Sequence, residues 1–271
     1  MYTLLFLGVL ISYLISAVVF IVYAISKKNL FFKIALFAAI FGFITQCFTL
    51  IMRWLISGFP PMSNLYESMT LFAWCMVMVF LIIEHRFKLN IIGAFIMPLV
   101  FLITGYSALL DDTVVPLMPA LQSYWLSIHV MSCFLSYACF ACAFCLGFMY
   151  LLQERQLKLK HTGKLLDRLP SLEIMDTINH NMVLFGFILL SIGIITGSIW
   201  AQQAWGNWWS WDPKETWSFI TWLIYAAYLH ARLNAGWSGK RTAILSIIGF
   251  VCVLFTYWGV SYLLPGLHSY L

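Results

Sequence analysis

Charged residues are scarce in this chain, because only 10 of its 271 residues are acidic and 15 are basic, together 9% of the sequence. A soluble domain carries roughly 25% charged residues, so this deficit excludes an ordinary water-soluble domain. Hydrophobic residues make up 63% of the chain, and its mean hydropathy is +0.92. The composition predicts an all-α polytopic membrane protein, organised as a single integral membrane domain over residues 1–271.

The sequence also has no pattern typical of a cleavable signal peptide or of covalent haem attachment. No charge precedes Lys27, and no small-residue cleavage site follows the first apolar stretch, so residues 1–26 are predicted to form a retained helix rather than a signal peptide. No Cys-x-x-Cys-His sequence occurs, which excludes a c-type cytochrome.

The seven cysteines lie in apolar runs and predict no disulfide. The spacing of three between Cys139, Cys142 and Cys145 favours helix packing, with a metal or cluster site as the alternative.

Eight apolar segments are long enough to cross a bilayer, which takes about 20 residues. They are predicted at residues 3–25, 33–56, 65–84, 90–110, 122–152, 177–200, 215–233 and 242–264. The fifth segment exceeds the bilayer thickness and must bend or project beyond it. About eight transmembrane helices are therefore expected.

The basic residues predict the orientation of these helices. Of the 15 lysines and arginines, 13 fall in alternate loops, and only Arg53 and Lys214 fall on the other side. Cytoplasmic loops are enriched in basic residues, so both termini, Arg53 and Lys214 are predicted to face away from the cytoplasm. The net charge of +5 is explained by this topology and does not indicate a nucleic-acid partner.

Residues 201–217, called here the Trp-rich segment, contain five of the 12 tryptophans. Gly206 and Asn207 are predicted to end one helix. Asp212, Pro213 and Glu215 have the pattern of an N-cap, a first-turn proline and a capping box, so they predict the start of the next. An aromatic belt at the membrane interface is one interpretation of the cluster. Its density and the intervening turn favour a flat aromatic platform for a flat apolar ligand.

Six histidines are sorted by their predicted depth. His129, near the outer end of the fifth segment, and His268, near the C-terminus, are placed on the same side as the Trp-rich segment. Neutral imidazole is a good ligand for haem iron, so these two are candidate axial ligands. His230 lies near the inner end of the seventh segment, where an ionisable group is a functional candidate. The others are predicted to be interface or helix-start residues: His85, His161 and, at the start of the sixth helix, His180.

The Trp-rich segment resembles the W-G-x-W-W-x-W-D-x-x-E signature of proteins that handle haem during cytochrome c maturation. Every fixed position is present from Trp205 to Glu215. Four further stretches resemble the CcsA/ResC-like family, which is related to CcmC/CcmF-like proteins: residues 63–68, 121–129, 221–230 and 266–270. The resemblance therefore covers most of the chain from the second predicted helix onward.

The resemblance implies haem b binding, haem export and presentation to an apocytochrome c with Cys-x-x-Cys-His. It assigns His129 and His268 to an outer haem iron, and His230 to an inner one. The haem-contacting side chains that it implies are those of Trp205, Trp208, Trp209, Trp211 and Asp212. Because Arg53 and Lys214 are the only basic residues expected on the outer side, they are candidate propionate partners.

The resemblance also implies a CcsB/ResB-like membrane subunit that supplies the second inner ligand, and it allows a thiol-reducing thioredoxin-like partner. The expected location is the cytoplasmic membrane of a bacterium or a thylakoid membrane, with the Trp-rich segment on the outer or lumenal side. The chain would be the haem-handling subunit of a holocytochrome c synthase. Three alternatives stay open: a haem transporter or chaperone without bond-forming activity, a transporter of another aromatic or anionic solute, and an electron-carrying haem protein.

Overall fold

The computed structural model describes residues 2–26, 28–114, 116–160, 169–264 and 266, and within these ranges all regular secondary structure is helical. The α-helices are α1 (Tyr2–Ser26), α2 (Asn29–Ser57), α3 (Leu65–Phe87), α4 (Gly93–Ser107), α5 (Tyr124–Lys158), α6 (Leu172–Trp205), α7 (Pro213–Asn234), α8 (Lys240–Leu254) and α9 (Val260–Leu263). Short 3₁₀ turns occupy Asn90–Ile92 and Pro119–Leu121, and the π-helical segment Phe255–Gly259 joins α8 to α9.

The predicted all-α membrane fold is confirmed. Within the described ranges, 7 helical segments are long and apolar enough to cross a membrane, and the α8–α9 segment counts as one of them. The remaining long helix, α7, has 22 residues but includes Lys214, Glu215, His230 and Arg232, which reduce its apolar character. The integral membrane character of the chain follows from these segments.

The predicted start of the sixth helix, at residue 177, is wrong. The sixth helix begins at Leu172, because the Ser171 side chain accepts a hydrogen bond from the N–H of Ile174 and so caps its first turn. His180 therefore lies in the third turn of α6 and not at a helix start. The ring of His180 stacks on that of Tyr228, with centroids 6.3 Å apart.

The chain divides into two compact units. Unit 1 consists of residues 1–116 and 155–170 and contains α1 to α4. Unit 2 consists of residues 117–154 and 171–271 and contains α5, apart from its last turn, together with α6 to α9. The Trp-rich segment and three of the histidines, His129, His180 and His230, thus belong to the same unit.

In unit 1, polar groups buried between the helices are paired with one another. The Tyr13 hydroxyl donates to Oε1 of Gln46 at 2.5 Å, and the Gln46 amide donates to the backbone oxygen of Thr70 at 2.9 Å. This relay joins α1, α2 and α3. Buried polar groups are costly unless they are hydrogen-bonded, so the relay satisfies side chains that the apolar surroundings would otherwise penalise.

In unit 2, α5 and α6 approach closely where α6 has glycines. A Cβ added at Gly186 would lie 2.5 Å from the Phe140 ring, and one added at Gly193 would lie 2.6 Å from Sγ of Cys133. The Ser136 hydroxyl donates to the backbone oxygen of Gly186 at 2.7 Å. Small residues permit such backbone approach between membrane helices.

The end of unit 2 farthest along α6 from the Trp-rich segment contains a polar cluster. The Asn179 amide donates to the backbone oxygen of Ala143 at 2.7 Å and to the Ser246 hydroxyl at 3.0 Å. Oδ1 of Asn179 accepts from the Tyr228 hydroxyl at 2.9 Å. One buried side chain thereby connects α5, α6, α7 and α8, and it fixes their relative register at this end.

Candidate functional site

The Trp-rich segment begins where α6 ends. Gly206 adopts φ 78°, a left-handed conformation that L side chains rarely tolerate, and its N–H donates to the backbone oxygen of Gln202. The Ser198 hydroxyl then donates to the backbone oxygen of Trp208 at 2.7 Å, which ties the turn to the last part of α6. The predicted break at Gly206 and Asn207 is confirmed.

The predicted capping box at the start of α7 is also confirmed. The Asp212 side chain caps the first turn, with Pro213 at the first helical position. The Glu215 carboxylate accepts hydrogen bonds from the N–H groups of Ser210 at 2.7 Å and of Asp212 at 3.2 Å. One buried carboxylate therefore fixes the backbone on both sides of Trp211.

Trp211 has an unusual backbone conformation. Its φ is 59°, in the left-handed region, which costs a non-glycine residue about 1–2 kcal/mol. The hydrogen bonds of Glu215 to its two neighbours, Ser210 and Asp212, hold this conformation in place. In this conformation Trp211 is 67% exposed. Strain of this kind is typical of binding sites.

The indoles do not form the single flat platform expected from the sequence. The Trp209 and Trp211 rings meet at 88°, with centroids 5.7 Å apart. Trp208 and Trp211 are exposed, at 58% and 67%, whereas Trp205 and Trp209 are half-buried. The segment thus offers two exposed indoles, backed by two that pack against the helices.

His129 lies in the second turn of α5, against α6. Its Nδ1 is 2.7 Å from the backbone oxygen of Gly193 and 3.7 Å from Sγ of Cys133. A Cβ at Gly197 would lie 2.6 Å from the same nitrogen. Among the described residues, no hydrogen bond reaches Nε2 of this half-buried ring, which leaves that nitrogen available to a ligand.

Trp200 connects His129 to the Trp-rich segment. The imidazole and indole planes are 17° apart, with centroids separated by 6.2 Å, and Trp200 in turn packs edge-on against Trp205. The fully buried Trp200 indole donates to the backbone oxygen of Ala120 at 2.8 Å. A rigid aromatic contact therefore couples the histidine to the segment.

Lys214 is a half-buried cation in the first turn of α7, ahead of the predicted apolar span. Burial lowers the pKa of Lys214 from 10.5 to about 8, and the Asp212 carboxylate acts in the opposite direction. Lys214 also interacts electrostatically with His129. The arrangement places a cation near the candidate ligand, where it can receive an anionic group.

Arg53, the other predicted outer cation, belongs to unit 1. Its guanidinium pairs with the Glu67 carboxylate at 2.8 Å, and both side chains are almost fully buried. It also donates to the backbone oxygens of Asp112 and Thr113. The Asn64 side chain caps the first turn of α3, because it accepts a hydrogen bond from the N–H of Glu67. The donors of Arg53 are thus engaged within unit 1.

The predicted second outer ligand, His268, lies outside the described residues. Gly266, two positions earlier, is described and contacts the start of α7, because a Cβ added there would meet the Asp212 carboxylate and lie 3.1 Å from Cδ of Pro213. The described chain therefore approaches the Trp-rich segment again just before His268.

His230 is exposed on the surface of α7. Its Nδ1 lies 2.9 Å from the amide nitrogen of Asn234, one turn later. The side chains of Leu223 and Leu233 are also exposed on this helix, at 46% and 69%. The imidazole is therefore accessible to a second chain and is not enclosed by unit 2.

Among the described residues, the other histidines and the cysteines form no competing metal site. His85 is exposed at the end of α3, and His161 lies outside the described residues. In the part of the chain that the structure describes, no group of three or more His, Cys, Asp or Glu residues is arranged to hold a metal ion. The three closely spaced cysteines are packing residues, since all are buried: Cys139, Cys142 and Cys145.

Three residues that hold the His129 ring were not predicted from the sequence: Gly193, Gly197 and Trp200. The two glycines have the G-x-x-x-G spacing typical of close membrane-helix contacts, so this signal was present in the sequence. Trp200 carried no such signal, because its contact with His129 joins residues 71 positions apart on different helices.

Comparison with known proteins gives consistent matches. The family model described as "Cytochrome C assembly protein" matches residues 62–268. Two proteins named Cytochrome c biogenesis protein CcsA are similar to most of the chain. The one from Guillardia theta is 40% identical over 262 residues, covering 90% of this chain and 87% of that protein. The one from Porphyra purpurea is 38% identical over 277 residues, covering 88% and 87%.

A solved structure named Cytochrome c Heme Lyase CcmF has the same fold, with a TM-score of 0.69 over 94% of this chain. The match covers 46% of that protein, so this chain spans about half its length. The sequence identity is 15%, and the likeness therefore concerns the fold alone.

Proposed function

This chain belongs to the family of cytochrome c assembly proteins, and from that premise we propose that it binds haem b and presents it to an apocytochrome c for covalent attachment. Haem is the substrate that the chain carries and positions. The observation that supports this proposal most directly is the arrangement of His129, whose Nδ1 is held by α6 while its Nε2 is left without a hydrogen bond from the described residues. Neutral imidazole with one nitrogen held in this way is a good axial ligand.

The exposed indoles of the Trp-rich segment fit the same substrate. Trp208 and Trp211 present large apolar surfaces that no described residue covers, and the hydrogen bonds of Glu215 and Ser198 fix their backbone. Aromatic contacts contribute about 0.5–1.5 kcal/mol beyond area burial. We therefore propose that these rings contact the porphyrin, while Trp205, Trp209 and Asp212 hold the segment in shape.

The position of Gly266 beside Asp212 supports His268 as the second axial ligand, because it brings the chain to the Trp-rich segment two residues earlier. For the haem propionates, Lys214 is the better of the two candidate cations. It interacts electrostatically with His129, whereas the guanidinium donors of Arg53 are already used by Glu67 and two carbonyl groups.

The proposed chemistry is the formation of two thioether bonds. Haem supplies two vinyl groups, and at each one a cysteine thiol adds across the double bond, so that S–H and π bonds are replaced by C–S and C–H bonds without net oxidation. This chain contributes position: His129 fixes the iron, the indoles fix the plane, and Lys214 orients the propionate edge. Holding two reactants in place can supply several kcal/mol of the barrier reduction.

At the other end of unit 2, we propose that His230 is one axial ligand of an inner haem. Its exposure on α7 supports a second ligand from another chain, and the family resemblance indicates a CcsB/ResB-like membrane subunit. Haem would enter here, move outward and reach His129 on the side away from the cytoplasm. A thioredoxin-like protein that keeps the apocytochrome thiols reduced would complete the system.

The test compares His129→Ala with His85→Ala, a control that removes an exposed histidine from unit 1. Each variant is co-expressed with the partner subunit and an apocytochrome c. We expect His129→Ala to lower haem content and thioether formation, with partial recovery on adding imidazole, and His85→Ala to behave like the unmodified protein. Unchanged haem spectra and thioether yield in His129→Ala would refute the ligand assignment. Haem retention without any thioether formation by the unmodified complex would indicate a haem chaperone.

A further inference from the structure

The His129 imidazole contacts a strip of α6 that has no side chains. Gly193 and Gly197 are one turn apart and therefore lie on the same face of the helix, followed by Trp200 after another turn. A Cβ at Gly197 would lie 2.6 Å from Nδ1 and 2.7 Å from Cε1 of His129. Any side chain at this position would displace the ring.

The hydrogen bond between His129 and Gly193 determines which ring nitrogen carries the proton. The partner of Nδ1 is a backbone carbonyl oxygen at 2.7 Å, and a carbonyl can only accept. Nδ1 must therefore be the donor, and the neutral ring has its lone pair on Nε2. The carbonyl belongs to a helix, so it cannot turn away as a side-chain acceptor could.

The ring plane is fixed as well. Trp200 lies nearly parallel to the imidazole, at an interplanar angle of 17°, and its own indole is anchored to the backbone oxygen of Ala120. Rotation of His129 about its side-chain bonds would break the bond to Gly193 and the stacking contact together. Three residues on one face of α6, Gly193, Gly197 and Trp200, thus determine the state of the His129 ring. They set which nitrogen carries the proton, where the ring lies and how its plane is oriented.

We propose that Gly193 and Gly197 are positioning residues for haem ligation: the carbonyl of Gly193 sets the Nδ1–H tautomer of His129, and the bare Cα of Gly197 admits the ring, so that Nε2 is the ligating atom. This inference rests on the proposed function. Hydrogen-bond partners of metal-ligating histidines typically change metal affinity by about 10–100-fold when they are altered. A similar loss is expected when the ring is displaced from α6.

The principal test separates positioning from general helix packing. Gly197→Ala introduces a methyl group 2.6 Å from His129, and the matched control Gly186→Ala introduces one 2.5 Å from Phe140 in the same pair of helices. Both variants of the full chain are purified with the partner subunit. We expect Gly197→Ala to hold the outer haem about 10–100-fold more weakly, with recovery on adding imidazole, and Gly186→Ala to keep the unmodified haem spectrum.

Equal haem loss in Gly197→Ala and Gly186→Ala, without recovery by imidazole, would overturn the inference in favour of helix packing. An unaltered spectrum in Gly197→Ala would overturn it as well. If Gly197→Ala fails to fold, the tautomer can be measured without a substitution in α6.

That second measurement uses ¹⁵N-histidine-labelled full chain without haem, in lipid nanodiscs, at a pH where imidazole is neutral. The His129 signal is identified by its absence in His129→Ala. We expect a proton on Nδ1 and none on Nε2, and the opposite tautomer would overturn the inference. Because no haem is present, this result is independent of the proposed function, which fails separately if His129→Ala leaves the haem spectrum of the complex unchanged.

Discussion

Arg232 donates from Nη1 to the carboxylate of Asp176 at 2.9 Å and so joins the last turn of α7 to α6. The same carboxylate accepts hydrogen bonds from the N–H of Gly239 and from the Thr242 hydroxyl, each at 3.0 Å. One acidic residue therefore determines the turn between α7 and α8. Because Arg232 is two residues from His230, the ion pair also fixes the part of α7 that presents this histidine.

Replacing Asp176 is expected to destabilise this end of unit 2. Asp176→Ala removes three charge-assisted hydrogen bonds from groups that are largely buried, and we expect the free energy of unfolding to fall by about 2–3 kcal/mol. The matched control is Glu173→Ala, an exposed acidic residue in the same part of α6. Thermal unfolding in detergent measures the difference. Equal midpoints for the two variants would contradict the role assigned to Asp176.

Trp211 allows backbone strain and ring function to be separated. Trp211→Gly relieves the left-handed conformation, whereas Trp211→Ala retains it, so the glycine variant should be more stable than the alanine variant by about 1 kcal/mol. Both remove the exposed indole and should retain less haem. Trp54→Ala, which removes a 51% exposed indole from unit 1, is the control and should retain haem normally. Haem retention that follows stability rather than ring loss would argue against an indole contact.

Lys214 should make anion binding pH-dependent. Because burial lowers its pKa to about 8, the ammonium charge is lost in the folded protein as pH rises through that value, whereas the unfolded chain stays protonated up to about 10.5. Stability should therefore rise with pH between these values, while attraction for a propionate declines.

The measurement is haem retention between pH 7 and pH 10 in Lys214 variants. The unmodified protein should lose haem progressively above roughly pH 8, and Lys214→Arg should shift that loss to higher pH because arginine stays charged. Lys214→Gln should bind haem more weakly at pH 7 and vary less with pH. The same pH profile in all three proteins would exclude Lys214 as the propionate partner.

The predicted topology can be tested by cysteine labelling. Of the 15 lysines and arginines, 13 lie in loops predicted to be cytoplasmic and 2 lie on the opposite side. This predicts that position 271 and the Trp-rich segment share one side of the membrane and that position 163 lies on the other. Single cysteines at these positions, in a chain whose seven native cysteines are replaced, should react with an impermeant reagent from opposite sides. Labelling of position 271 only after the membrane is opened would reverse the orientation.

The sequence predicted the local features of the site well and the tertiary features poorly. The capping box of Asp212 and Glu215 and the break at Gly206 are encoded within a few residues, and both were confirmed. The shape of the Trp-rich segment was not predictable, since the left-handed φ of Trp211 depends on hydrogen bonds to Glu215, and no glycine or asparagine indicates a turn at that position.

The contact between His129 and Gly193 was also unpredictable from the sequence, because it depends on how two helices align. Both helices were predictable from apolar length, but the register between them depends on which glycines face which side chains of the neighbouring helix. The environment of the Arg53 charge was unpredictable for the same reason. Its side was predicted from topology, whereas its almost complete burial against Glu67 depends on how α2 and α3 pack. Contacts between helices therefore determine the surroundings of His129 and Arg53, which the sequence pattern does not predict.

His230 differs from His129 in the group that holds its Nδ1. The partner is the Asn234 side chain, whose amide carries both a donor and an acceptor and can be rotated, so it does not fix the tautomer. Ligation of the neutral ring through Nε2 leaves the proton on Nδ1, and an acceptor facing Nδ1 favours that tautomer. Asn234→Asp offers only acceptors, while Asn234→Leu offers none.

We therefore expect Asn234→Asp to retain the inner haem of the complex with the CcsB/ResB-like subunit, and Asn234→Leu to weaken it by about 10-fold. The chain without that subunit should lack this haem, because a single exposed imidazole holds haem less firmly than two ligands do. Haem stoichiometry and spectra are compared for the chain alone and with its partner, each with and without His230→Ala. A bis-histidine inner haem in the chain alone would show that the second ligand comes from this chain. Equal haem content in the Asn234→Asp and Asn234→Leu complexes would show that the tautomer of His230 does not limit binding.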